Sequence, residues 1–139
     1  MYLASLKNIT VKLTIYYDAS CPLCLAEMHL LKNHNKRGLL EFVSLQDLRP
    51  SDCDIHCDLA MQTIHARLGE SLIIKGPEVF FEAYKRTDLR CINYIFSFAI
   101  VRYVYAKFYV HFAQYRHKIS KVIGPTLLRW AQKKYPDAV

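Results

Sequence analysis

Apolar and polar residues change spacing several times along this chain, and each spacing predicts an element. Residues 11–18, VKLTIYYD, alternate and are rich in β-branched and aromatic side chains, which predicts a strand. Residues 21–38, CPLCLAEMHLLKNHNKRG, change to a helical period. Cys24, Met28 and Leu31 share a face there, Pro22 suits the first helical position, and Gly38 is the expected C-cap after Lys36 and Arg37. Residues 39–45, LLEFVSL, predict a second strand. Residues 49–60, RPSDCDIHCDLA, read as a polar turn with one or two helical turns. Residues 61–76, MQTIHARLGESLIIKG, predict a hairpin turning near Gly69. Residues 77–86, PEVFFEAYKR, predict a short amphipathic helix with Val79, Phe80 and Ala83 on one side. The order β-α-β-(α)-β-β-α is an alternating α/β pattern.

From Cys91 the texture changes. Residues 91–118 are apolar nearly all round and hold five tyrosines and four phenylalanines. The stretch is long enough to span a bilayer, but Arg102 and Lys107 interrupt it. A spanning helix wants about 20 mostly apolar residues, and a central arginine costs roughly 2.5–3.5 kcal/mol. One or two helices that pack on the domain, a partner or a membrane surface are expected instead. A helix is expected to restart at Pro125 and stop before Pro136.

Charge sharpens this division. Residues 1–99 hold 11 Lys/Arg and 11 Asp/Glu, whereas residues 100–139 hold 8 Lys/Arg and one acid, Asp137. The whole formal charge of +7 therefore belongs to the last forty residues. An anionic membrane surface or an acidic partner fits such a tail, with a merely solvated face as the plain alternative; no specific nucleic acid is expected. A length of 139 residues with 53% hydrophobic content predicts a single folded domain, its α/β core over residues 11–90 and a helical extension over 91–135. The chain start lacks a secretory pattern, so a cytoplasmic setting is expected, with peripheral membrane association as a further option.

The chemistry is concentrated in residues 16–24, YYDASCPLC. A Cys-x-x-Cys that closes a strand and opens a helix places its thiols beside unpaired N–H groups and the positive helix end, which stabilise a thiolate. Cys21, in or just before the first turn, is expected to be exposed and nucleophilic. Cys24, one turn in, is expected to be the more buried, resolving thiol. Pro22 stiffens the loop. Asp18 would oppose thiolate formation if it stood close to Cys21, so its expected role is loop shaping, with proton relay to Cys24 as the alternative.

YDASCPLC resembles the signature of the DCC family, named for an Asp-x-x-Cys-x-x-Cys motif and classed as thiol-disulfide oxidoreductases of thioredoxin-like fold. The central hairpin, with Ile64, His65 and Gly76, is similar to the family's, and YVHFAQYR (109–116) resembles its Tyr-x-x-Phe-Ala-x-x-Arg ending. The resemblance implies a thioredoxin-like β-α-β-α-β-β-α core with additional C-terminal helices. It places Asp18, Cys21 and Cys24 at the named positions but establishes no substrate; the favoured expectation is an enzyme with these three as the catalytic set, working without a cofactor or metal on a protein or small-molecule thiol or disulfide. Typical thioredoxins carry a cis-proline before the third strand, facing the cysteines. The stretch DLAMQTI has none, and Met61 is expected to face the site instead, contacting substrate together with Pro22.

Cys53 and Cys57 complicate this reading. With Cys21 and Cys24 they give two cysteine pairs that would suit a closed zinc site, and hence a zinc-stabilised binding module as the rival function. An inactive thioredoxin-like adaptor docking through its tail is a third. The favoured reading leaves Cys53 and Cys57 incidental. His65 is expected to be a satisfied strand residue, and Cys91 a packing residue.

Overall fold

The computed structural model describes residues 10–49, 51 and 63–136. Cys53, His56, Cys57 and Met61, and with them the expected helical turns between the second and third strands, lie outside the described residues.

Strand β1 (Leu13–Tyr17) occupies the centre of the sheet because both of its faces find cover. Leu13 and Ile15 are fully buried on one face, while Thr14 on the other donates to Glu41 Oε2 at 3.3 Å. Helix α1 (Pro22–Asn33) carries the chain over to β2 (Leu40–Ser44), which pairs parallel with β1, Leu13 opposite Leu40 and Tyr17 opposite Ser44. Strand β3 (His65–Leu68) lies antiparallel on the other side of β1, with Tyr16 opposite His65. It turns through Gly69, at φ +66°, into β4 (Leu72–Lys75). The sheet order is β2-β1-β3-β4.

Helix α2 (Pro77–Lys85) follows Gly76, whose φ of +69° suits a residue without a Cβ, and starts on Pro77 as expected. It buries Val79, Phe80 and Ala83, the face read from the sequence, and Phe81 and Tyr84 besides. Fully buried Arg86, just after it, donates to Val11 O at 2.8 Å and pairs with Glu82 at 2.8 Å, tying α2 to the start of β1. Helices α3 (Arg90–Phe96) and α4 (Ala99–Lys134) follow. The architecture is the thioredoxin-like α/β fold with C-terminal helices.

Three local expectations are corrected. Helix α1 stops at Asn33, well before Gly38, because the Asn35 side chain bonds both Leu40 O (2.9 Å) and Leu40 N (3.1 Å) and draws the chain into β2. Gly38 serves the following turn, at φ +64°. Helix α4 does not restart at Pro125 but runs through it. The proline removes one N–H bond, and contacts on both sides hold the chain helical: Ser120 and Gly124 before it and Ala131 after it are all buried. Cys91 is exposed, because α3 turns Ile92 and Phe96 toward the core instead.

The C-terminal helices are locked to α2 by rings. Phe81 meets Phe96 at 5.1 Å and Tyr105 at 5.5 Å between centroids, Phe80 meets Tyr109 at 5.9 Å, and Phe96 meets Tyr105 at 5.4 Å. Tilted and edge-on ring pairs of this kind add to the area they bury.

Candidate functional site

The end of β1 and the start of α1 build the site. Ser20 donates to Asp18 Oδ1 twice, from N (2.9 Å) and from Oγ (2.6 Å), closing a tight turn. Gln46, just beyond β2, clamps the same turn: its Nε2 donates to Asp18 Oδ1 at 2.7 Å and its Oε1 accepts from Ala19 N at 3.0 Å. Burial pushes the Asp18 carboxyl up, but the Ser20 and Gln46 bonds and the Arg116 charge outweigh it and hold the group below its usual range. This is the loop-shaping role expected of Asp18. Gln46 has no signal in the sequence that would single it out.

Cys21 is the N-cap of α1, with φ −98° and ψ 108°, and its Sγ accepts from Cys24 N at 3.3 Å. That bond satisfies one of the N–H groups left open at a helix start. Both cysteines are free thiols. The expected exposures are reversed. Cys21 is only 2% accessible, whereas Cys24 is half-buried. The reason is tertiary: α4 lies across the mouth of the motif.

Two residues of α4 make that cover. Gly124 comes so close that a Cβ on it would stand 3.0 Å from Leu23 N, from Pro22 Cβ and from Ser120 Oγ. Pro22, expected to meet substrate, thus packs against α4. Ser120 Oγ accepts from Leu23 N at 3.2 Å and lies 3.4 Å from Cys21 Sγ. Because a backbone N–H already donates to that oxygen, the hydroxyl proton is free to point at the sulfur.

Arg116, one turn earlier, is 6% accessible, and its Nη2 finds no hydrogen-bond partner among the described residues. Its charge favours the ionised forms of Asp18, Cys21 and Cys24. The Cys21 thiol is lowered to about 5: the Cys24 thiol hydrogen-bonds to it, burial opposes, and Ser120, the Cys24 N–H and Arg116 reinforce the lowering. Cys24 moves the other way, because it is the donor to Cys21, is desolvated and faces the Cys21 charge.

Cys24 opens on a cavity of about 40 Å³ that Glu27, Met28, Tyr109 and Arg116 also line. A water needs roughly 10–15 Å³ measured this way, so the cavity has room for it. Glu27 Oε1 accepts from Tyr84 Oη at 2.7 Å, and burial raises the carboxyl above its usual range. Tyr109 Oη accepts from Ile64 N at 3.4 Å, which joins the hairpin and the Tyr-x-x-Phe-Ala-x-x-Arg segment around this cavity. Glu27 and Ser120 went unread in the sequence, although Glu27 stands one helical turn beyond Cys24. His65 is buried and bonded through Nδ1 to Thr63 O at 2.7 Å, the satisfied strand residue expected. No group of three potential metal ligands occurs among the described residues.

The chain belongs to the DCC1-like thiol-disulfide oxidoreductase family, whose profile matches residues 15–122. That span runs from β1 through Ser120. A protein of Arabidopsis thaliana, named only as uncharacterised and chloroplastic, is 29% identical over 113 residues, which is 78% of this chain and 53% of that protein. The chain thus spans about half the length of the curated relative it matches. No solved structure matches.

Proposed function

We propose that this family member carries out thiol–disulfide exchange with Cys21 as nucleophile and Cys24 as resolving thiol. The observation that carries the reading is the convergence on Cys21 Sγ of the Cys24 N–H, the Ser120 hydroxyl and the Arg116 charge. Those groups favour a thiolate at neutral pH, and the thiolate is the attacking species.

In the reducing direction, Cys21 S⁻ attacks one sulfur of a disulfide R–S–S–R′. The S–S bond breaks, R′–S⁻ leaves with the electron pair, and Cys21–S–S–R forms. Cys24 then loses its proton and attacks Cys21 Sγ. The Cys21–Cys24 disulfide forms and R–S⁻ departs, so the substrate has gained two electrons and the protein has lost two. Cys24 needs a proton acceptor for this second step. Glu27 lines the same cavity, which has room for a water to carry the proton to it, whereas Asp18, although its Oδ2 has no partner among the described residues, is the weaker acceptor because its carboxyl is held below its usual range. No cofactor enters the reaction. Because α4 covers Cys21, a protein disulfide needs a larger displacement of the Ser120–Gly124 segment than a small one, which favours small-molecule disulfides. The intimate contact of α4 with α1 also supports treating residues 11–90 and 91–135 as parts of one domain.

The test uses a chromogenic aryl disulfide and mass spectrometry. Cys21→Ser should abolish exchange, and Cys24→Ser should accumulate an adduct on Cys21. An adduct on Cys24 in the wild-type chain, with Cys21→Ser still active, would reverse the assignment.

A further inference from the structure

The outward side of α3 and α4 takes no part in the thiol site. Among the described residues most exposed large apolar side chains lie on or between α3 and α4; Leu72 and Ile73 lie on β4, and Ile123 and Leu127 fall on the side of α4 that carries its buried residues. Ile100, Val104, Phe108, Tyr115 and Val122 recur on one side of α4 with exposures of 53% to 78%. Lys107, Lys118 and Arg129 fall in the same stripe and are exposed. The opposite side of the helix holds the buried residues Tyr109, Arg116, Ser120, Gly124 and Ala131. With 36 residues the helix presents an outward stripe about 54 Å long.

Charge decides between occupants. Helix α4 holds eight Lys/Arg and no Asp or Glu. Apart from buried Arg116, all of these cations are exposed. A second copy docked through this face would set cations against cations. Nucleic acid would take the cations but leave Ile100, Val104 and Val122 in a wet, polar interface. A bilayer with anionic headgroups suits both parts: apolar side chains enter the acyl boundary, tyrosines sit at headgroup depth, and lysines and arginines meet the lipid charge.

We infer that the outward face of α3 and α4 docks the protein flat on an anionic lipid bilayer, with Ile100, Val104 and Phe108 entering the interface and Lys107, Lys118 and Arg129 among the headgroups. The attachment is interfacial: cations recur along α4, and no helix among the described residues is long and apolar enough to cross a membrane. The inference stands apart from the thiol chemistry, because it rests on the side of α4 that faces away from the cysteines.

The test is co-sedimentation of the full chain with vesicles of phosphatidylcholine alone and of phosphatidylcholine with phosphatidylglycerol. Binding is expected only to the anionic vesicles, falling as salt rises. Each outward cation replaced by glutamine should weaken it about fivefold. The pair Lys107→Gln, Lys118→Gln should therefore lose more than tenfold, as should Val104→Ser with Phe108→Ser. Lys36→Gln with Arg37→Gln, an equal charge change elsewhere, should leave binding intact. Trp130, the single tryptophan, is half-exposed on α4 and should shift its emission to the blue on anionic vesicles. Absence of pelleting and of emission shift at low salt overturns the inference. So does binding that the Lys36/Arg37 pair weakens equally. Competition by polyglutamate or single-stranded DNA, with no effect of the Val104 and Phe108 changes, would assign the face to an acidic protein or to nucleic acid instead.

Discussion

Ser120 Oγ lies 3.4 Å from Cys21 Sγ, although 99 residues separate the two in the chain. The hydroxyl accepts from Leu23 N and so has its own proton available for the sulfur. Ser120→Ala removes that donor. A hydrogen bond to a charged group contributes about 1.5–3 kcal/mol, which moves the thiol from about 5 up by roughly one to two units, so alkylation of Cys21 at pH 6 should fall about two- to fifteenfold and its pH profile should move to higher pH. Iodoacetamide kinetics followed by mass spectrometry read this directly. An unchanged profile would mean that the hydroxyl points away from the sulfur.

Gly124→Ala tests the cover itself. A methyl group there meets the Leu23 backbone nitrogen at 3.0 Å, and backbone cannot swing aside. Helix α4 should lift locally, making Cys21 more accessible while loosening its bond to Ser120. The expected signature is faster exchange with bulky disulfides at pH 8, together with a higher pH for the Cys21 inflection. A variant indistinguishable from wild type in both would show that α4 does not gate the sulfur.

Glu27→Gln separates the two chemical steps. The amide oxygen still accepts from Tyr84, so the packing should persist. Formation of the first mixed disulfide should keep its rate. Its resolution should slow by about 10²-fold, within the usual range for loss of a proton-transfer group. Rapid-quench analysis of the adduct measures both rates. If Asp18→Asn slows resolution more than Glu27→Gln does, the proton goes to Asp18.

The pH dependence of stability has a definite sign. The Cys21 thiol is depressed from 9.0 to about 5 in the folded, reduced protein. Between these values the unfolded chain binds a proton that the folded chain lacks, so stability rises with pH across that window. The contribution is fully present above the unfolded value and is lost as pH falls through about 5. Denaturant midpoints of the reduced protein should therefore climb from pH 5 to pH 9. The oxidised protein, which has no thiol to titrate at Cys21, should lack this slope.

Phe81→Ala removes a buried ring that touches both Phe96 and Tyr105. Such truncations cost about 3–5 kcal/mol. The loss should appear as a lower urea midpoint. Cys21 alkylation in the folded state should also be faster, because the same rings anchor the helix that covers the sulfur.

Much of the fold was legible because local periodicity carries it. The alternation in residues 11–18 gave β1, Gly69 gave the hairpin, and Pro77 with Val79, Phe80 and Ala83 gave α2 and its buried face. Boundaries failed where a side chain outcompeted the pattern: Asn35 ended α1 before Gly38 did. Pro125 misled because propensity counts the missing N–H, while packing on both sides of it is a long-range matter.

The chemistry divides along the same line. That two cysteines sit at a helix start is readable from local residues alone, because strand, proline and helical period are encoded within a few positions of one another. That the tail is cationic and aromatic is readable too, since composition alone decides it. Which thiol is covered, and by what, was settled only when α4 folded back over α1. Exposure is a property of everything packed around a group, and the groups around Cys21 come from Ser120 and Gly124, about a hundred residues away, brought close by a small residue where any Cβ would collide.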